Sequence, residues 1–163
     1  MLRQLPQELR NEQPGWLIED HYIAGTRLRL RRMSLLDGGE TLYKVGQKYR
    51  APSQSAAERT MTNMYLNEVE YEKLSHLAAN SLVKKRYRYI HDEHQYAVDV
   101  FEGPLWGLIL AEVECETLQE YQLLQTPSFA LREVTSEPFF GGGNLAGLTR
   151  EAFLQEAQKW LAA

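Results

Sequence analysis

A chain of 163 residues with 44% hydrophobic content is long enough for one domain with a sizeable core. Its formal net charge of -4 and pI near 5.6 exclude a general nucleic-acid binder, which carries a basic excess, so an anion site would have to be local. The lone Cys115 cannot form an internal disulfide, MLRQLPQELR has no apolar signal core, and no apolar run is long enough for a bilayer, which together lead us to expect a reduced, cytoplasmic chain without membrane contact.

In chain order, alternation of apolar and polar residues predicts strands at Ile18 to Met33, Thr41 to Tyr49, Thr60 to Leu66, Leu82 to Ile90, Tyr96 to Phe101 and Leu108 to Glu116. Gly38 and Gly39 mark a hairpin, as does the polar stretch His91 to Gln95. Ala51 to Glu58, with Pro52 and two serines, reads as a surface loop. Asn67 with Glu70, and Thr117 with Glu120, have the spacing of capping boxes, the first ahead of Val69, Leu74, Leu77 and Ala78, the second ahead of Leu118, Tyr121 and Leu124. A third helix, Thr149 to Leu161, places Phe153, Ala157, Trp160 and Leu161 on one stripe. Gly141, Gly142 and Gly143 read as a flexible loop without the lysine of a phosphate-binding P-loop.

Residues two apart on a strand share a face. Arg27, Arg29 and Arg31 therefore project together, as do Lys44 and Lys48, and Lys84, Arg86 and Arg88. Glu112, Glu114 and Glu116 share a face opposite Val113 and Cys115, and Asp99 lies on the preceding strand. Any one of these faces suits the solvated side of an ordinary antiparallel sheet. Their segregation by sign does not, because such a sheet mixes charges to form cross-strand pairs. Phosphate oxygens would match the cations and a divalent metal the carboxylates. Closing the charged faces inward would give a polar tunnel with an apolar outer wall covered by the amphipathic helices. His91, Asp92, Glu93 and His94 read as a hairpin tip, and His76 and Cys115 as structural residues.

The runs GTRLRLRRM, TLYKVGQKY, KKRYRY, VDVFEG, GLILAEVE and REVTSEP occur in the order found in CYTH domains, and from Ile18 to Ala146 the chain resembles that superfamily, the triphosphate tunnel metalloenzymes. The resemblance implies an α+β fold around an antiparallel, eight-stranded-type tunnel barrel with flanking helices. It implies that Arg27, Arg29, Arg31, Lys44, Lys84 and Arg86 hold the phosphates of triphosphate or a nucleoside triphosphate. It further implies that Asp99, Glu112 and Glu114 hold Mg2+ or Mn2+ for phosphoryl chemistry.

Two departures follow. The Glu-x-Glu-x-Lys strand that opens such domains is not found before Leu5, so a barrel lacking its first strand is expected, with exposed edges that a homodimer would cover. Asn63 and Tyr65 stand where relatives place glutamates, leaving the tunnel short of carboxylates. The readings are a metal-dependent triphosphatase, a polyphosphate- or nucleotide-binding module without turnover, and a structural dimer whose charges only pair with one another.

Overall fold

The computed structural model describes residues 1–10, 14–49 and 60–161, so the expected loop at Ala51 to Glu58 lies outside the described residues. Seven strands are present among them: β1 Gly15–Ile23, β2 Leu28–Leu35, β3 Thr41–Tyr49, β4 Thr60–Leu66, β5 Ala79–His91, β6 His94–Phe101 and β7 Ile109–Val113. They form one curled antiparallel sheet in the order β4-β3-β2-β1-β5-β6-β7. Where an eight-stranded-type barrel lacking its first strand is expected, the described residues form an open seven-stranded sheet with β4 and β7 at its edges. At one point the β7 edge is covered, where the Leu2 N–H donates to the Ile109 carbonyl at 2.9 Å.

The expected single segment Ile18 to Met33 is in fact a hairpin. Gly25 adopts φ 72°, in the left-handed region that glycine enters at low cost. The Thr26 hydroxyl donates to the Ile23 carbonyl at 2.9 Å and accepts from the Leu28 N–H at 3.0 Å, which fixes the reversal. Arg27 consequently sits in the turn, ahead of β2. A tight reversal at Asp92 and Glu93, both at positive φ, joins β5 to β6, in keeping with the hairpin expected there.

Among the described residues four α-helices accompany the sheet: α1 Glu68–Ser75, α2 Leu118–Leu123, α3 Gly142–Ala146 and α4 Arg150–Leu161. The capping box of α1 is complete, with Asn67 Oδ1 accepting from the Glu70 N–H and Glu70 Oε2 accepting from the Asn67 N–H. Its expected apolar stripe is not fully buried, since Val69 and Leu77 are exposed, and α1 meets β3 through Tyr71 against Tyr43 and through the Tyr43 hydroxyl, which donates to Glu68 Oε1 at 3.2 Å. Gly142 and Gly143, expected in a loop, begin α3. No helix among the described residues is long and apolar enough to cross a membrane.

Two apolar clusters cover the two faces of the β5–β7 half of the sheet. On the face of Leu82, Phe101 and Leu110 lie Leu105, Leu108, Leu145 and Phe153, which bring in α3 and α4. On the opposite face, Tyr96, Val98 and Ile109 are covered by Leu2, Leu9 and Phe129. Register pairs Phe101 with Lys84 and Leu110 with Asp99, so α3 and α4 rest on the charged face. This differs from the expected arrangement of helices outside an apolar wall. Amphipathicity shows that a helix has a face to bury but does not say against which side of a sheet.

The α3 contact is close. A Cβ added at Gly142 would land on the Tyr22 hydroxyl of β1, within a ring that burial holds in place. Gly142→Val should therefore lower the unfolding free energy by about 1–3 kcal/mol, the usual cost of overpacking. Urea unfolding followed by circular dichroism measures it, and a loss below about 0.5 kcal/mol would mean that α3 is not seated on Tyr22.

Candidate functional site

One row of register partners runs across four strands: Tyr65 on β4, Lys44 on β3, Arg31 on β2 and Asp20 on β1. Arg86 on β5 pairs with Asp99 on β6, and Lys84 lies two residues before Arg86 on the same face. In a flat sheet Lys44 and Arg86 would stand about 20 Å apart, three strand spacings across and four residues along, because Lys44 lines up with Leu82 through Arg31 and Asp20. Arg86 nonetheless acts electrostatically on Lys44, as curling of the sheet towards its charged face allows.

Asp99 is the centre of the β5–β6 half. Lys84 Nζ donates to its Oδ2 at 2.5 Å, while Arg86 Nε and Nη2 donate to Oδ1 and Oδ2 at 2.7 Å each. Arg86 Nη2 also reaches Glu112 Oε2 at 3.1 Å. Burial alone would raise the Asp99 pKa, but the Lys84 ammonium and the Arg86 fork overrule it and hold the carboxyl below its usual range. Lys84 is almost wholly enclosed, and this desolvation lowers its pKa despite Asp99.

A second buried carboxylate orders the other half. Asp20 is 0% exposed and accepts from Arg31 Nε at 2.5 Å and Arg31 Nη2 at 2.6 Å. Arg29 Nε lies 3.6 Å from Asp20 Oδ1, buried and without a hydrogen-bond partner. Burial and the Asp20 charge push the neighbouring Tyr22 hydroxyl up to about 12. Lys44 has no carboxylate within ion-pair reach among the described residues. Its pKa is lowered, first by burial and then by Arg31, Arg29 and Arg86.

Of the residues singled out from sequence, Arg29, Arg31, Lys44, Lys84, Arg86 and Asp99 share this face, and Glu112 joins through Arg86. Arg27 does not, because its guanidinium lies over the Tyr49 ring, 4.8 Å from the centroid. Glu114 follows the end of β7 and is exposed. Asp20 and Tyr22 were not singled out, although Asp20 interrupts the stripe of Trp16, Ile18 and Tyr22, and a carboxylate on an apolar stripe requires a buried partner.

The carboxylates do not converge as a cation site would require. Both oxygens of Asp99 are taken by Lys84 and Arg86, and among the described residues no three His, Cys, Asp or Glu side chains are placed to hold a metal ion. This donor set does not fit Mg2+ or Mn2+, which take several oxygen ligands.

No family model matches the chain, and no curated protein matches it. Two solved structures share its fold. One, described as the hypothetical protein NE1496, has a TM-score of 0.59 at 21% identity, over 91% of this chain and 94% of its own. The other, described as the inorganic triphosphatase NE1496, has a TM-score of 0.57 at 20% identity, over 89% of each chain.

Proposed function

We propose that the charged face binds linear polyphosphate, with inorganic triphosphate as the ligand that suits it best, in a cytoplasmic protein of the CYTH type. The observation that carries this reading is the gathering, among the described residues, of Arg29, Arg31, Lys44, Lys84 and Arg86 with Asp20, Asp99 and Glu112, an excess of two positive charges within this group in a partly enclosed space. Such an excess calls for an anion with several oxygens. The word triphosphatase attached to one structure of the same fold supports the choice of ligand. Lys44 and Arg29, each with donors not taken up by a carboxylate, make the first contacts, and Arg86 extends the grip towards Glu112.

Metal-dependent hydrolysis is the second reading, favoured by the family resemblance and opposed by the engagement of Asp99. One experiment separates the two. The chain is titrated calorimetrically with triphosphate in EDTA, then assayed for phosphate release with Mg2+ or Mn2+, beside a Glu112→Ala, Glu114→Ala double variant. Saturable binding in EDTA that weakens as salt rises is expected. Its absence would sink the binding reading. Phosphate release that needs metal and disappears in the double variant would favour the enzyme. Sedimentation of the same samples tests the homodimer proposed to cover the β4 and β7 edges, and a monomer would reject it.

A further inference from the structure

Asp20 stands apart from the other charged residues of the face. It is fully buried, and its two oxygens hold the Nε and Nη2 of Arg31, the same pair of donors that would otherwise form a two-point contact with a phosphate. Arg31 is itself 5% exposed, and its fork is directed across to Asp20 on β1 rather than to solvent. Arg29, next on the strand's charged face, lies within ion-pair distance of the same carboxylate yet leaves its Nε unpartnered. Lys44, opposite Arg31 in register, has no carboxylate within ion-pair reach among the described residues. Asp20 thus faces Arg31, Arg29 and the Tyr22 hydroxyl, and its charge also acts on Lys84, Lys44 and Arg86.

We propose that Asp20 is a specificity-determining positioning residue: it keeps the Arg31 fork turned inward and cancels one positive charge of the face. The anion is then gripped by Lys44, Arg29 and Arg86, and highly charged ligands are held less tightly than five cations would allow. This rests on the polyphosphate-binding reading. Physically, a fixed negative charge beside the ligand repels it in proportion to the ligand's own charge, so Asp20 penalises triphosphate more than orthophosphate.

The test compares the unaltered chain with Asp20→Asn, which keeps the shape and removes the charge. Both are titrated calorimetrically in EDTA with orthophosphate and with triphosphate, after circular dichroism confirms folding. Asp20→Asn should bind triphosphate about tenfold more tightly, and orthophosphate no more than about threefold. Unchanged or weaker triphosphate binding, or an equal gain for both ligands, would overturn the proposal. Should the variant fail to fold, nitrogen-15 NMR of the unaltered chain's arginine side chains decides. On adding triphosphate the Arg29 Nε–H signal should move while that of Arg31 stays, and an Arg31 shift as large as that of Arg29 would overturn the proposal. Binding by Asp20→Asn but not by the unaltered chain would reject the polyphosphate reading of the native protein and uphold the role of Asp20. Binding by neither would overturn both.

Discussion

Asp99→Asn should lower the unfolding free energy by about 3–5 kcal/mol, the usual cost of removing one partner from a buried ion pair. Asp99 is 1% exposed and, among the described residues, is the single carboxylate in ion-pair contact with Lys84, so its loss leaves an ammonium enclosed beside apolar neighbours such as Phe101. Asparagine keeps the volume and one acceptor oxygen, which confines the change to charge. The pH profile carries a second signature. The Asp99 pKa is lowered in the folded chain, so its contribution is fully present above the unfolded carboxyl value of about 3.9 and is lost as pH falls through the lower folded value. The unaltered protein should therefore lose stability steeply below about pH 4, and Asp99→Asn should show a flatter acid limb. Urea unfolding at pH 7 and at stepped pH down to 3 measures both. A loss under about 1 kcal/mol at pH 7 would mean that Lys84 finds another partner or sheds its proton without consequence.

The strands were the most legible part of the sequence. Thr41–Tyr49 and Thr60–Leu66 have the bounds expected from sequence, the first entered after Gly38 and Gly39 and the second ended by the Asn67 cap of α1. Ile18 to Met33 reads as one strand in the sequence because the reversal at Ala24 to Arg27 contains only one glycine and keeps the charged residues in apparent phase. That reading places Arg27 in the site. It also hides the pairing of β1 with β2, which sets Asp20 opposite Arg31. Cations on one strand are visible as a local pattern, but a carboxylate one strand away that engages them depends on register, a non-local property. The same holds for Asp99. Its residue type suits a metal ligand, whereas register against Arg86 makes it a counter-ion. The exposure of Val69 on α1 and of Leu77 just beyond it was equally hidden, since helical spacing does not show whether a covering layer exists.

Lys44→Met should move function and stability in opposite directions, and that opposition separates a ligand-gripping residue from a structural one. Lys44 is half-buried among Arg31, Arg29 and Arg86 with no carboxylate in ion-pair reach among the described residues, so in the free chain its charge is held against repulsion. Methionine retains most of the stem and removes that repulsion, and the ligand-free melting temperature should rise. Triphosphate affinity should fall by about ten- to a hundredfold, the equivalent of one charged hydrogen bond of about 1.5–3 kcal/mol. The proton behaviour follows from the same cause. Burial first, and then the three arginines, lower the Lys44 pKa, and a bound polyanion reverses the effect of the arginines and raises it. Binding should therefore take up protons, and affinity should decline as pH rises through the depressed free-chain pKa. Calorimetry in buffers of different ionisation enthalpy reads the uptake, which Lys44→Met should abolish. A variant that melts lower and binds triphosphate as before would make Lys44 a packing residue. One that melts higher and loses both affinity and proton uptake would identify Lys44 as the cation whose repulsion is relieved when the ligand arrives.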